Sequence, residues 1–171
     1  MFGKINERNT YPRFQWSEVL KIINGKDHKS VSVVGGNYPL YGSGGLMGYA
    51  SDYLCPENTV VIGRKGTINK PFIVKEPFWN VDTAFGVVPN REILHYQYLF
   101  WYCKQIDFAK LNKASTLPST TKEDLLRLKI NIPPMSEQRR FADFVQQSDK
   151  SKFAVRNLSN LNLSGPLPLR I

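Results

Sequence analysis

The sequence predicts an α+β fold: a small twisted, mainly antiparallel sheet with long loops and flanking helices, followed by a C-terminal helical arm. Three observations carry this. Between Ser30 and Pro89, short β-branched and aromatic runs alternate with Gly, Pro and Asn. From Glu92 onward, apolar residues recur at helical spacing instead. The 171 residues are 42% hydrophobic and 12% aromatic, which suits one cored domain and excludes disorder as a description of the whole. No stretch approaches the ~18 consecutive apolar residues of a membrane span, and the N-terminus carries no secretion signal. The expected location is cytoplasmic.

Taken in order, Ser17 reads as the cap of a short helix with Trp16, Val19, Leu20 and Ile23 on its apolar face and Gly25 as its left-handed stop. Strands are expected at 30–34, 59–62, 72–74 and 84–88. The connections between them are long and glycine-rich, and long ordered loops on a small sheet point to a surface function. Residues 92–111 read as one helix with Leu99, Tyr102, Ile106 and Phe108 facing inward. A polar loop at 115–121 follows. Thr120 and Glu123 form a capping box that opens a helix over 121–128. Residues 129–132 make a strand that Pro133-Pro134 breaks, and Ser136 caps the last helix.

With Phe141 as heptad position a, that helix places Phe141, Ser148, Val155 and Asn162 at a and Phe144, Ser151 and Leu158 at d. Phe141, Phe144, Val145, Val155 and Leu158 form a half-apolar seam for another helix or for the helix's own domain. The organisation is therefore a domain over 1–134, a helix over 135–163 and a frayed tail over 164–171.

Charge gives the first functional clue. Lys and Arg number 23 against 14 Asp and Glu, a net +9. Residues 1–90 hold 10 basic against 7 acidic side chains (+3) and residues 91–171 hold 13 against 7 (+6), so a folded surface carries the excess. Such a surface attracts polyanions, nucleic acid above all. Cys55, Cys103, His28 and His95 are too scattered for a zinc site, and no metal is expected.

Several motifs fall short of chemistry. Gly42-Ser43-Gly44-Gly45-Leu46-Met47-Gly48 departs from a nucleotide-binding loop in spacing and starts no helix, so we read it as a flexible or tightly folded loop. Asn131-Ile132-Pro133-Pro134 resembles the Asn-Pro-Pro-aromatic motif of amino-methyltransferases, but Ile132 breaks the geometry and Met135 is not aromatic. Asp27-His28-Lys29 contains the Asp-x-Lys fragment of Mg²⁺-dependent nucleases and leaves a small nuclease as the competing class. The strongest local signal is 59–70. There a β-branched strand runs into Gly63-Arg64-Lys65-Gly66, followed by Thr67, Asn69 and Lys70. Arg at a strand end can pair with guanine, and Lys or small polar groups with phosphates. Lys113 and Thr116 mark a second such surface.

Five pieces then occur together and in order. They are Trp16-Ser17-Glu18-Val19-Leu20, Tyr38-Pro39-Leu40-Tyr41-Gly42-Ser43-Gly44-Gly45 and Val61-Ile62-Gly63-Arg64-Lys65-Gly66-Thr67-Ile68. Phe78-Trp79-Asn80-Val81-Asp82-Thr83-Ala84-Phe85 and Ile132-Pro133-Pro134-Met135-Ser136-Glu137-Gln138 complete the series. Over about residues 12–158 the chain resembles the target-recognition domain and spacer helix of type I restriction–modification specificity (S) subunits. The resemblance implies a non-catalytic, sequence-specific reader of one half of a bipartite DNA site, with no cofactor of its own. It also implies a methyltransferase (M) subunit partner that carries adenosylmethionine and methylates adenine, and room for a restriction (R) subunit. An S subunit resembles two such domains in tandem, whereas this chain has one. A half subunit or gene fragment is therefore expected, either restoring the two-part site as a homodimer through its C-terminal helix or persisting as a remnant that only occupies the methyltransferase. The residues expected to face DNA are Tyr41, Ser43, Arg64, Lys65, Asn69, Lys70, Lys113 and Thr116. Trp16, Trp79 and Phe85 are expected in the core, and Gly63 and Gly66 are expected to shape the turn.

Overall fold

A computed structural model describes residues 11–111 and 119–161, with backbone alone from 149 onward. Its centre is β5 (Thr59–Gly63), whose five residues are all buried. Val60 and Ile62 point to one side, into a cluster with Trp16, Ile22, Val87, Leu94, Leu99, Phe108, Leu125 and Ile130. Val61 points to the other, toward Cys55, Val74, Phe78 and Ala84. A strand buried on both faces reads as a continuous apolar run, which explains Thr-Val-Val-Ile. Each of these wholly buried aliphatic side chains contributes about 1.5–3 kcal/mol.

β5 lies between β6 (Phe72–Val74) and β8 (Ala84–Pro89), and β8 pairs in turn with β2 (Leu20–Asn24), all antiparallel. Among the described residues there are three sheets instead of one. β3 (Tyr38–Gly42) pairs antiparallel with β4 (Gly45–Ala50) and parallel with β7 (Trp79–Asn80), while β1 (Arg13–Gln15) pairs antiparallel with β9 (Lys129–Asn131). The helices are α1 (Trp16–Val19), α2 (Tyr96–Cys103), α3 (Lys122–Leu126) and α4 (Met135–Leu161), with a 3-10 turn at Phe108–Lys110. The α+β class, the dominance of antiparallel pairing and the C-terminal helix match expectation.

Several boundaries do not. The first helix is one turn, with Gln15 rather than Ser17 at its N-cap and the Glu18 carboxylate accepting the Gln15 N–H at 2.5 Å. It stops at Leu20 because Leu20 through Asn24 pair residue by residue with β8, and this ladder overrides the helical spacing. Gly25 is not a left-handed stop. A Cβ there would collide with the Val81 carbonyl, so its role is close packing of two backbones. Residues 30–34 form no strand: the N–H groups of Val31 and Ser32 turn back to the His28 carbonyl, and only Ser32 bridges to Ala50. The glycine-rich stretch read as a loop is the β3–β4 hairpin.

Residues 92–111 break into α2 and the 3-10 turn, with Asp107 extended between them. Leu99, Tyr102 and Phe108 are nonetheless buried, as expected. α3 is capped by Thr121, whose hydroxyl accepts the Asp124 N–H, while Thr120 is buried and leaves no capping box with Glu123. α4 begins one residue before Ser136, and the Pro134 carbonyl accepts the first helical N–H bonds, from Glu137 and Gln138. A Pro pair lacks N–H donors and has fixed φ, so it hands directly into a helix. Phe141 is buried on its own domain, edge-on to Tyr98 at 5.9 Å, so it is not part of an outward seam. Phe144 is 55% exposed and Val145 packs against the main core. The side chains of Val155 and Leu158 and the expected tail lie outside the described residues.

Candidate nucleic-acid interface

Where β5 leaves the core, two glycines turn the chain sharply. A Cβ at Gly63 would collide with the Thr67 carbonyl, and Gly66 sits at φ +75°. Glycine alone occupies both positions without strain. Between them, the N–H groups of Arg64 and Lys65 donate to the Thr83 carbonyl at 2.8 and 3.3 Å. The Arg64 carbonyl accepts the Thr120 N–H at 3.0 Å, and Lys65 bridges to Ser119.

Thr83 does more than hold this loop. Its hydroxyl accepts the Ser43 N–H at 3.3 Å, and the Ser43 hydroxyl sits 3.4 Å from where a Gly66 Cβ would lie. Four segments therefore meet at one end of the molecule: the β3–β4 hairpin tip, the β5–β6 loop, the β7–β8 turn and the stretch before α3. Sequence reasoning singled out Ser43 and Arg64 separately but missed Thr83, the residue that joins them. A polar Thr in a turn between two apolar strands gives no signal of such a role.

The Arg64 guanidinium lies 6.0 Å from the Phe85 ring centroid, which keeps it near the surface above the core. Lys65 and Lys70 are exposed. Among the described residues, the ion pairs at Asp27, Asp107 and Glu57 involve none of these three cations. Their field is left for an outside anion.

The other expected contacts divide. Tyr41 packs its ring against Phe72 and Phe78 at 5.4 and 5.6 Å, and burial raises its phenol above the ordinary value. Asn69 is committed within the protein: its amide donates to Asp107 at 2.7 Å and its oxygen accepts the Ala109 N–H at 3.3 Å. That amide holds the Asp107 carboxyl below the usual range. Lys113 and Thr116 lie outside the described residues. Trp16, Trp79 and Phe85 are buried, as expected.

The nuclease fragment does not assemble. Asp27 is exposed and its carboxylate accepts the Lys29 N–H at 3.2 Å, which holds its pKa down. Among the described residues, no three His, Cys, Asp or Glu side chains are grouped to hold a metal ion, and no helix is long and apolar enough to cross a membrane. Cys55 and Cys103 are buried free thiols, and burial pushes Cys55 up to about 12.

Comparison with known proteins bears on the fold and the family. A type I restriction enzyme specificity subunit assigned in Haemophilus influenzae, S.HindORF215P, is 28% identical over 127 residues, covering 71% of this chain and 33% of that protein. The S subunit of a type I restriction–modification system from M. genitalium superposes with a TM-score of 0.71 at 16% identity, over 95% of this chain and 46% of its own. The HsdS subunit of Thermoanaerobacter tengcongensis gives 0.69 at 19% identity, over 90% and 41%. This chain thus spans about a third of the curated relative and under half of each solved chain. The family model for the type I restriction modification DNA specificity domain matches residues 10–162. By that match over nearly its whole length, the chain belongs to the family of type I restriction–modification DNA specificity domains.

Proposed function

We propose that this chain reads one half-site of double-stranded DNA and positions a methyltransferase subunit for adenine methylation, with no catalysis of its own. The observation that supports this best is the meeting of Ser43, Arg64 and Lys65 on one polar anchor, Thr83, at the exit of a fully buried strand. A recognition surface needs rigid backbone beneath variable side chains, and these hydrogen bonds supply it. Arg64 is the base-reading candidate, while Lys65, Lys70 and Ser43 suit phosphates, joined by Lys113 and Thr116. Tyr41 shapes the hairpin beneath Ser43, and Asn69 fixes the loop through Asp107. Adenosylmethionine belongs to the methyltransferase partner, and a restriction subunit joins the same assembly in the cytoplasm.

Selection from a randomised duplex library tests this, with the co-encoded methyltransferase and adenosylmethionine present. A short enriched motif methylated at an adenine is expected. Arg64→Ala should weaken binding to that motif by about 1–3 kcal/mol and relax selection at one base pair. Equal losses on every sequence would make Arg64 a phosphate contact. Folded protein that enriches nothing overturns the reading, and so does Mg²⁺-dependent cleavage without the partner that Asp27→Ala abolishes.

A further inference from the structure

The β3–β4 hairpin carries a feature that the cationic loop beside it leaves unused. Its pairing runs in register from Tyr38 opposite Ala50 to Leu40 opposite Gly48, then shifts so that Tyr41 faces Leu46. Met47 is the extra residue of a β-bulge. Successive side chains on a strand normally point to opposite faces, but a bulge re-aims them. Here both Leu46 and Met47 reach solvent, at 55% and 58% exposure. Gly45 and Gly48 flank the pair and add no side chains, and β4 is the edge strand of its sheet. Two large apolar side chains, each more than half exposed at the edge strand, are a liability unless something covers them.

Their position says what. The Met47 sulfur turns over Gly42, where a Cβ would lie 2.7 Å from it and 3.3 Å from the Thr83 hydroxyl. The Thr83 carbonyl is the acceptor for the Arg64 and Lys65 N–H groups. Met47 therefore lies against the residue that also anchors the cations, with Leu46 beside it at the hairpin tip, and no described carboxylate pairs those cations. An apolar tip flanked by unneutralised positive charge complements a polyanion with apolar groups on its surface. DNA offers these in the major groove, which admits a two-stranded ribbon and presents the C5-methyl of thymine.

Resting on the DNA-reading function above, we propose that Leu46 and Met47 read a thymine methyl in the major groove of the half-site. The bulge delivers them to the groove floor while Arg64 and Lys65 hold the backbone or an adjacent guanine.

The experiment replaces each thymine of the selected half-site in turn with deoxyuridine, which deletes the methyl alone. Binding of the full chain with its methyltransferase partner is then titrated for wild type, Leu46→Ala and Met47→Ala. At least one replacement should weaken wild-type binding about fourfold, the worth of one buried methyl. The same replacement should leave a variant unaffected, because its affinity for the intact site has already fallen by that factor. Both side chains are exposed, so thermal melting should confirm unchanged folding. A wild type indifferent to every replacement overturns the assignment, as do variants that keep full sensitivity. Variants that lose the methyltransferase but keep DNA selectivity also overturn it, placing the pair in a protein interface. These failures leave the DNA-reading function standing, whereas a wild type that enriches no motif removes both.

Discussion

Gln138 shows how one side chain fastens the reading domain to its arm. It is 1% exposed; its oxygen accepts the His95 N–H at 2.8 Å, and its amide donates to the carbonyls of Ile93 at 2.9 Å and Pro133 at 2.8 Å. Gln138→Leu keeps the volume but removes the partner of three backbone groups, the Pro133 carbonyl buried and the His95 N–H and Ile93 carbonyl part-buried. At roughly 1 kcal/mol or more each, the loss should be about 3 kcal/mol, lowering the thermal midpoint by about 6–12 °C. A shift under about 2 °C would show that water replaces the side chain. Glu137-Gln138 was visible in the sequence as part of a recurring motif, but this role was not. Its partners Ile93 and His95 lie 45 and 43 residues upstream, a distance across which no periodicity speaks. The internal partners of Asn69 and Tyr41 were hidden for the same reason. Their partners, Asp107 and Phe78, are remote in sequence, and a polar or aromatic residue in a loop looks free until they arrive.

Elements were legible where composition and burial agree. β5, β6 and β8 are β-branched runs buried by their neighbours, and they fall within a residue of expectation. β3 and β4 were missed because Gly42, Gly45 and Gly48 hide the alternation. The split of 92–111 was missed because apolar spacing persists through the 3-10 turn. The start of α2 could not be read either, since His95 caps it by accepting the Gln97 N–H through Nδ1. Burial lowers the His95 pKa from its ordinary value, Arg139 on α4 lowers it further, and Asp143 on α4 partly opposes them. The sign follows: the fold favours the neutral ring and the unfolded chain binds the proton more readily. Stability from this cap is fully present above pH ~6.5 and is lost as pH falls toward the lowered folded value. His95→Asn keeps a capping oxygen that cannot titrate. Its melting temperature should fall less between pH 7 and pH 5 than that of wild type, and parallel pH curves would disprove the coupling.

At the scale of the molecule, the first turns of α4 are bound rigidly to the domain. Tyr11 donates to the Glu137 carboxylate at 2.6 Å, Gln138 is buried, and Phe141 packs on Tyr98. The remainder of the 27-residue helix extends the arm to about 40 Å at ~1.5 Å per residue. Its direction relative to the Arg64 surface is thereby set, and the proposed reading of one half-site gives such an arm the role of a spacer. The heptad places Val155 and Leu158 on one stripe. If two copies pair along that stripe, closed twofold symmetry turns one half-site into an inverted repeat with fixed spacing. Light scattering at micromolar concentration should then give twice the chain mass, and Leu158→Glu should halve it. The same substitution should leave binding to a single half-site within about twofold, because the proposed reading surface lies on the domain and not on the arm. Library selection with Leu158→Glu should lose the repeat and keep the half-motif. A single-chain mass for the wild type, with an unrepeated motif, would overturn pairing and leave each chain reading alone.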